Sequence, residues 1–303
     1  MAELNEKAKK VFALKYSIRK TKAWKEACRD IADFMAEGER PYGKSDDEIK
    51  EIADLFFEYL YDLLFLPGGR IIANAGTGIK NLANCFVLGI EDSRGSIYGT
   101  LKDAAEIFAM GGGVGYNFSH IRETGALINS TNGEASGPLS FMSLFDQTGE
   151  VIQQASRRGA QMGVMDVSHP DVMNFINFKS TLNTRNDRLM KEYDRNLKVV
   201  NGILNGTKYA KILEKTLLDD QLTHFNISVA LNDEFMTAVE NDEDWDLVSP
   251  STGKVVKTVK AKDILKKMAL QAHASGDPGQ LQSTRINEDN MVPYIGKIEA
   301  TNP

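Results

Sequence analysis

A chain of 303 residues, 42% hydrophobic and 26% charged, is long enough for one large cored domain or two smaller ones. Its net charge of -6 gives no support for a general nucleic-acid-binding surface, leaving only local basic clusters that would meet nucleotide phosphates. No stretch approaches the roughly 18 consecutive apolar residues of a membrane span, and the opening MAELNEKAKK reads as a charged helix former and not as a signal peptide.

Residues 1–66 read as helical, and an N-terminal helical domain is expected over 1–70. Ser45-Asp-Asp-Glu48 has the form of a capping box. Ile49, Ile52, Ala53, Phe56, Leu60, Leu63 and Leu64 follow it at helical spacing, and Pro67-Gly-Gly69 is expected to end the helix. From about residue 70 short apolar runs alternate with helical stretches. Strands are predicted over 84–90 (NCFVLGI), 162–167 (MGVMDV) and 225–231 (FNISVAL), on β-branched and aromatic content and bounded length. The helices between them carry start signals. Ser136-Gly-Pro138 precedes a helix predicted over 139–154, and Ser168-His-Pro-Asp171 opens the next in the same way. Asn232-Asp-Glu234 places two carboxylates in a first turn, and a helix over 262–274 stops at Ser275-Gly276-Asp-Pro278-Gly279. Residues 180–223 are polar and weakly periodic. They read as an inserted surface excursion with one helix over Tyr209–Leu218. Alternating strands and helices make residues 71–303 an α/β domain.

Several segments admit two readings. Gly111-Gly-Gly-Val-Gly-Tyr-Asn117 lacks the Gly-Lys-Ser/Thr of a P-loop, and a helical stretch, not a strand, precedes it. It is either close backbone packing at a helix end or a place where a ligand meets the main chain. Cys85, near the start of a predicted buried strand, is either a small buried hydrophobe or half of a redox pair; Cys28, in a helical stretch, reads as structural. These two cysteines are too few for a disulfide framework, so a cytoplasmic location is expected. The four histidines have no metal-ligand spacing. Asp92-Ser93 is a turn and helix cap by default. The pair Arg157-Arg158 is either solvated surface or a bidentate phosphate clamp.

Taken in order, NAGT (Asn74–Thr77), NCFVL (Asn84–Leu88), Asp92-Ser93, GGGVGYN (Gly111–Asn117), IRETG (Ile121–Gly125), NGEASGPLSFM (Asn132–Met142), RRGA (Arg157–Ala160), HPD (His169–Asp171), FNISV (Phe225–Val229), GDPG (Gly276–Gly279) and EATNP (Glu299–Pro303) resemble the large catalytic subunit of ribonucleotide reductases, most closely the adenosylcobalamin-dependent class. The resemblance implies an N-terminal helical domain followed by the first half of a ten-stranded α/β barrel. It implies a reaction in which a thiyl radical abstracts the ribose 3'-hydrogen and a cysteine pair supplies two electrons. By resemblance, Cys85 is one of that pair, Asn302 bonds the ribose hydroxyls, and Asn84 and Gly113 line the substrate site. Asp92, Ser93 and Arg122 would hold a dNTP or ATP effector, and Asn129 and Ser130 lie in the loop that closes over it. Arg157, Arg158, Gly159, Ala160 and Gln161 form the loop that reports effector identity to the substrate site. Adenosylcobalamin, a ribonucleotide substrate, a thioredoxin-like reductant and a homodimer formed through the effector-site helices are implied with them.

Also by resemblance, the radical cysteine and an active-site glutamate would follow Pro303. This sequence is therefore expected to need a C-terminal portion that carries them, through a split gene, an intein junction or a shortened chain. An open half-barrel would expose a sheet edge and an apolar face. Two other readings stand beside the enzyme part: a non-catalytic dNTP-binding or assembly module, and part of a class I reductase that takes its radical from a partner subunit.

Overall fold

The computed structural model describes residues 4–16, 23–79, 81–128, 132–154, 157–179 and 225–303. The excursion 180–223, its expected helix, and Asn129 and Ser130 lie outside them. The chain divides into two compact units: Met1–Phe86 with Ile107–Gly113 and Gln153–Arg157, and Val87–Glu106 with Val114–Ile152 and Arg158–Pro303.

The first unit is built on helices α1 (Glu6–Lys15), α2 (Trp24–Ala36), α3 (Asp46–Tyr61) and the short α4 (Gly69–Asn74). Cys28, Ile31 and Ala32 of α2 bury against Leu60 of α3 and Ala75, with Phe56, Phe57 and Ile71 packed around them. Burial pushes the Cys28 thiol up to about 12, so it is a packed hydrophobe and not a nucleophile. The capping box forms as expected: Ser45 Oγ accepts from the Glu48 N–H, and the Glu48 carboxylate accepts from the Ser45 N–H at 2.9 Å. Helix α3 stops at Tyr61, short of the Pro-Gly-Gly signal, so Leu63 and Leu64 are not part of it. Leu63 is left-handed (φ 58°), the Leu64 N–H donates to the Tyr59 carbonyl and the Leu63 N–H to the Leu60 carbonyl. This is the bonding pattern of a Schellman cap, here with leucine in the place usually held by glycine. Pro67-Gly-Gly69 instead leads into α4, whose N-cap is Gly68.

A five-stranded sheet, most of it in the second unit, is ordered β1 (Cys85–Leu88), β2 (Gly113–Asn117), β7 (Gln161–Asp166), β8 (Phe225–Leu231), β11 (Gly279–Gln282). The pairs β2–β7, β7–β8 and β8–β11 are parallel. The strands β3 (Leu127–Ile128) and β4 (Gly133–Glu134) form one small pair, β5 (Gln153–Gln154) and β6 (Arg157–Arg158) another, and β9 (Asp244–Val248) with β10 (Val255–Lys260) a third. Helix α5 (Arg94–Ala109) connects β1 to β2, and α6 (Pro138–Val151) lies between β2 and β7. A helix over 172–179 (α7) follows β7, and α8 (Asp233–Asn241), α9 (Ala261–Ser275) and α10 (Ser283–Glu288) complete the series. Asn232 caps α8 as its sequence suggests, accepting from the Phe235 N–H.

Strand order equals sequence order, and α6 packs against one face of the sheet. On that face Tyr116, Phe145 and Phe225 are fully buried with Phe118, and the Tyr116 and Phe145 rings meet at 4.9 Å. Gly163, level with Tyr116 across the β2–β7 register, leaves room for Met142 of α6. Side chains alternate along a strand, and the register levels them across strands. The opposite face therefore carries the rows Gly115–Met162–Asn226, Asn117–Val164–Ser228–Gly279 and Asp166–Ala230–Leu281. This face is small and mixed in polarity, not the broad apolar face expected of a half-barrel.

One further expectation changes. Helix α6 ends at Val151 and not at 154: Ile152 is extended (φ -92°, ψ 103°), and Gln153–Gln154 form β5. The glycine cluster packs closely at a helix end. Gly111 (φ 77°) ends α5, a Cβ on Gly112 would lie 2.6 Å from Ile107 Cγ2, and the Gly113 N–H donates to the Asn84 carbonyl.

Replacing Leu63 by glycine removes the cost of holding a Cβ in the left-handed region, roughly 1–2 kcal/mol, against a smaller entropic loss. Leu63→Gly should raise the stability of the chain by about 1 kcal/mol in urea unfolding, whereas Leu63→Ala, which keeps the Cβ, should not.

Candidate functional site

The best-formed cleft lies in the second unit, among the segments that follow β1 and β2. It is a cavity of about 370 Å³, a size that holds a small organic ligand. Its polar wall is Asp92, Ser93 and Arg94 at the start of α5, with Arg122 opposite. Ser93 Oγ accepts from the Ser96 N–H at 3.1 Å and so caps α5, and the Glu91 N–H donates to Ser96 Oγ at 2.9 Å. Gly137 and Pro138 begin α6, and Gly137 also lines the cleft. Two helix N-termini therefore contribute positive ends to one cavity, beside two arginines. Ile97, Ile121, Ile128 and Phe141 supply an apolar wall, and Glu134 the remaining charge.

Arg122 is fixed by Asp92. Its Nε donates to Asp92 Oδ2 at 2.7 Å, and its backbone N–H to Asp92 Oδ1 at 3.3 Å. The pair is about one quarter exposed on each side, so its position is held by geometry as much as by charge. The arrangement can receive an anion at one end and a flat apolar group at the other. Arg94, Glu134 and Phe141 were not singled out by the sequence. A signal for Arg94 was there: a cation in the first turn of a helix works against the helix dipole and suggests a ligand-related reason.

The segment that carries Ile121 and Arg122 is held by His169 and Asp171. The Ile121 carbonyl can only accept, so His169 Nε2 carries a proton and donates to it at 2.9 Å. His169 Nδ1 then accepts from the Asp171 N–H at 3.0 Å. Asp171 Oδ2 in turn accepts from both the N–H and the hydroxyl of Thr124, at 2.8 and 3.1 Å. His169 is buried and neutral, and burial holds its pKa below the ordinary value. The sequence showed His-Pro-Asp only as a helix start; its second task is to fix the segment that carries Arg122.

Gln161, expected in a loop, is instead the fully buried first residue of β7. Its Oε1 accepts from the Tyr116 hydroxyl at 3.1 Å, and its Nε2 donates to the Phe145 carbonyl at 2.9 Å. A Cβ on Gly149 would stand 2.6 Å from that Nε2, so Gly149 gives the amide its place. Gly159 is buried, and the Ala160 carbonyl accepts from the Val114 N–H. Arg157 and Arg158 lie in β6.

The remaining expected residues fall in two groups. Asn84, Cys85 and Gly113 belong to the first unit, Asn302 to the second. Cys85 opens β1 but is exposed, which corrects the expectation of a buried strand position: β1 alternates between exposed and half-buried residues. Asn84 Oδ1 accepts from the Arg70 N–H at 3.0 Å, in the first turn of α4, and the Asn84 carbonyl accepts from Gly113. A larger cavity of about 770 Å³ lies beyond the ends of β2, β7, β8 and β11. Many of its polar atoms are committed to one another: Asn117 to the Ser119 N–H, Ser283 to the Leu231 carbonyl, Asn287 to Ile298, His120 to Glu299. The described residues contain no His/Cys/Asp/Glu group suited to a metal ion, and no helix long and apolar enough to cross a membrane.

Residues 2–80 match the family "Ribonucleotide reductase, all-alpha domain" and residues 83–303 match "Ribonucleotide reductase, barrel domain". The chain is 40% identical over 252 residues to the vitamin B12-dependent ribonucleoside-diphosphate reductase of Mycobacterium tuberculosis, covering 83% of this chain and 31% of that protein. It is 39% identical over 249 residues to the protein of the same name from Thermoplasma acidophilum, covering 82% and 28%. The vitamin B12-dependent ribonucleotide reductase of Streptomyces clavuligerus is 33% identical over 276 residues, covering 87% and 27%. The chain thus spans less than a third of the length of these relatives.

Two measurements test the geometry. Unfolded histidine takes up a proton below about pH 6.5, whereas His169 resists it in the folded state, so its contribution is complete above that pH and falls as the pH drops. The thermal midpoint should decline between pH 6.5 and 5, and less steeply in His169→Asn, whose side-chain oxygen can still accept from the Asp171 N–H. Separately, Gln161→Ala strands the buried Tyr116 hydroxyl and should cost about 2–3 kcal/mol in urea unfolding, while Tyr116→Phe should cost about 1 kcal/mol.

Proposed function

The chain belongs to the ribonucleotide reductase large-subunit family, carrying its all-alpha domain and part of its barrel domain, and from that membership we propose that it serves as the N-terminal part of an adenosylcobalamin-dependent enzyme that reduces ribonucleotides to deoxyribonucleotides under dNTP control. The observation that carries the reading is the cleft built from Asp92, Ser93, Arg94 and Arg122. Two helix ends and two guanidinium groups suit the phosphates of a nucleotide, and the Ile97–Phe141 wall suits its base. Asn129 and Ser130 would close over that nucleotide, and the loop ending at Gln161 would carry its identity to the substrate.

Replacing the 2'-hydroxyl by hydrogen and releasing water takes two electrons, supplied when two thiols become a disulfide. A third thiol carries the radical. This sequence has two cysteines, and Cys28 is buried in a helical core with its thiol held protonated. Cys85, exposed at the head of β1, is the thiol suited to the reducing pair. The radical cysteine and the second reducing thiol are therefore assigned to reductase residues that this sequence does not include. Asn302 would bond the ribose hydroxyls, with Asn84 and Gly113 along the substrate. A thioredoxin-like reductant would return the disulfide to thiols, and a homodimer would form through α5 and α6. When bound, adenosylcobalamin supplies the radical. Nucleotide binding, positioning of the ribose and one of the two reducing thiols are the tasks assigned to this chain.

Mixing the chain with the remaining portion of the reductase and adenosylcobalamin should convert CDP or CTP to its deoxy form; no product from a folded pair would defeat the enzyme reading. Titration calorimetry of the chain with dNTPs should show binding, weakened at least about tenfold in Arg122→Ala, the loss of a charged hydrogen-bonding partner. Binding without turnover would instead favour a non-catalytic nucleotide module.

A further inference from the structure

On the face of the sheet opposite α6, Gly115 has no room for a side chain. A Cβ built on Gly115, in the middle of β2, would run into the carbonyl oxygen of Thr301, stand 2.7 Å from its carbonyl carbon and 3.4 Å from Asn302 Cα. Gly115 faces away from α6, since its neighbours Val114 and Tyr116 point to the helix-covered side. Backbone atoms cannot yield as a flexible side chain can, so the glycine is what lets the 300–302 segment lie against β2.

The same segment is held just before this contact. Asn287 brackets Ile298: its Nδ2 donates to the Ile298 carbonyl at 3.0 Å and its Oδ1 accepts from the Ile298 N–H at 2.8 Å. Asn290 Nδ2 donates to the Gly296 carbonyl at 2.9 Å. Glu299 meets His120 Nε2 at 2.8 Å, and Ala300 is buried. The chain from Gly296 to Ala300 is thus tied down by side chains, and the next residue is seated in the gap over Gly115. Asn302 follows immediately, so a shift at Thr301 is passed to it through one peptide bond.

We propose that Gly115 is a positioning residue: its missing side chain forms the seat for the Thr301 carbonyl, and that seat fixes where Asn302 stands. The functional half of the inference rests on the reading of Asn302 as the residue that faces the ribose; the structural half does not.

A thermal-unfolding cycle tests the structural half. Gly115→Ala is made in the 303-residue chain and in a chain lacking residues 299–303. The substitution should lower the midpoint by several degrees, or prevent folding, in the whole chain, and should do little in the shortened one. An equal effect in both backgrounds, including failure of both Gly115→Ala forms to fold, overturns the proposal. The functional half is read in the assembled reductase, where Gly115→Ala should lower kcat about a hundredfold, the scale of a 1 Å misplacement, with little change in KM or in dNTP binding. Gly38→Ala, in open space in the first unit, should leave all three unchanged. Wild-type turnover by Gly115→Ala overturns the positioning role. An inactive wild-type assembly defeats the reductase reading instead, and the unfolding cycle still decides the seat.

Discussion

The constraint on which the second unit depends is the winding of its sheet. Five strands lie in sequence order, and α6 covers one face of them. That face has the large residues: Tyr116, Phe118, Phe145 and Phe225 form one aromatic cluster, with Met142 reaching over Gly163. Burying such side chains is worth roughly 1.5–3 kcal/mol each and fixes α6 against β2 and β7. The other face is left to glycine, serine, asparagine and alanine at many positions, and its width is set by backbone. The chain uses that narrowness at Gly115, where the only atoms that fit belong to another stretch of main chain.

Two buried polar networks convert this scaffold into a shaped surface. His169 and Asp171 reach from the start of α7 to Ile121 and Thr124, on either side of Arg122. Gln161 joins the head of β7 to Tyr116 on one side and to the Phe145 carbonyl of α6 on the other. Phe141, one turn earlier on α6, lines the cleft that holds Arg122. The Gln161 network is buried, and the His169 network is buried except at Thr124; each is worth most when complete, because a buried donor or acceptor without its partner costs more than the bond returned. The proposed effector site and the loop before β7 are therefore built on rigid supports.

What the sequence made legible was mostly local. Ser45 and Glu48 are three residues apart and cap one helix; Asn232 caps its own. The β-branched run at 225–231 is a strand in fact as in pattern. Strand β2 was not legible, because Gly-Val-Gly-Tyr-Asn has little intrinsic β-preference and is a strand through its neighbours and its burial. Helix α3 ended early because nothing in the local pattern marks Leu63 for a left-handed turn. Cys85 was expected to be buried since its run is apolar, but burial depends on where the strand sits in the sheet, and β1 is at the edge. Asp92, Ser93 and Arg122 came through family resemblance, not through any pattern of their own. Asn287 could not be found from sequence at all: its work is done eleven residues away, at Ile298.

The sequential strand order also bears on how the fold is reached. Each strand of the sheet pairs with the strand that precedes it in the sheet and in the chain, so no strand has to wait for a later one to complete its inner edge. Nascent chains emerge N-terminus first and domains condense as their contacts become available. A sheet wound in this way can lengthen by one strand at a time as synthesis proceeds, with β11 as its growing margin. Its assembly order is then written into its topology, and the margin that remains open at each stage is the one that the next segment of polypeptide meets.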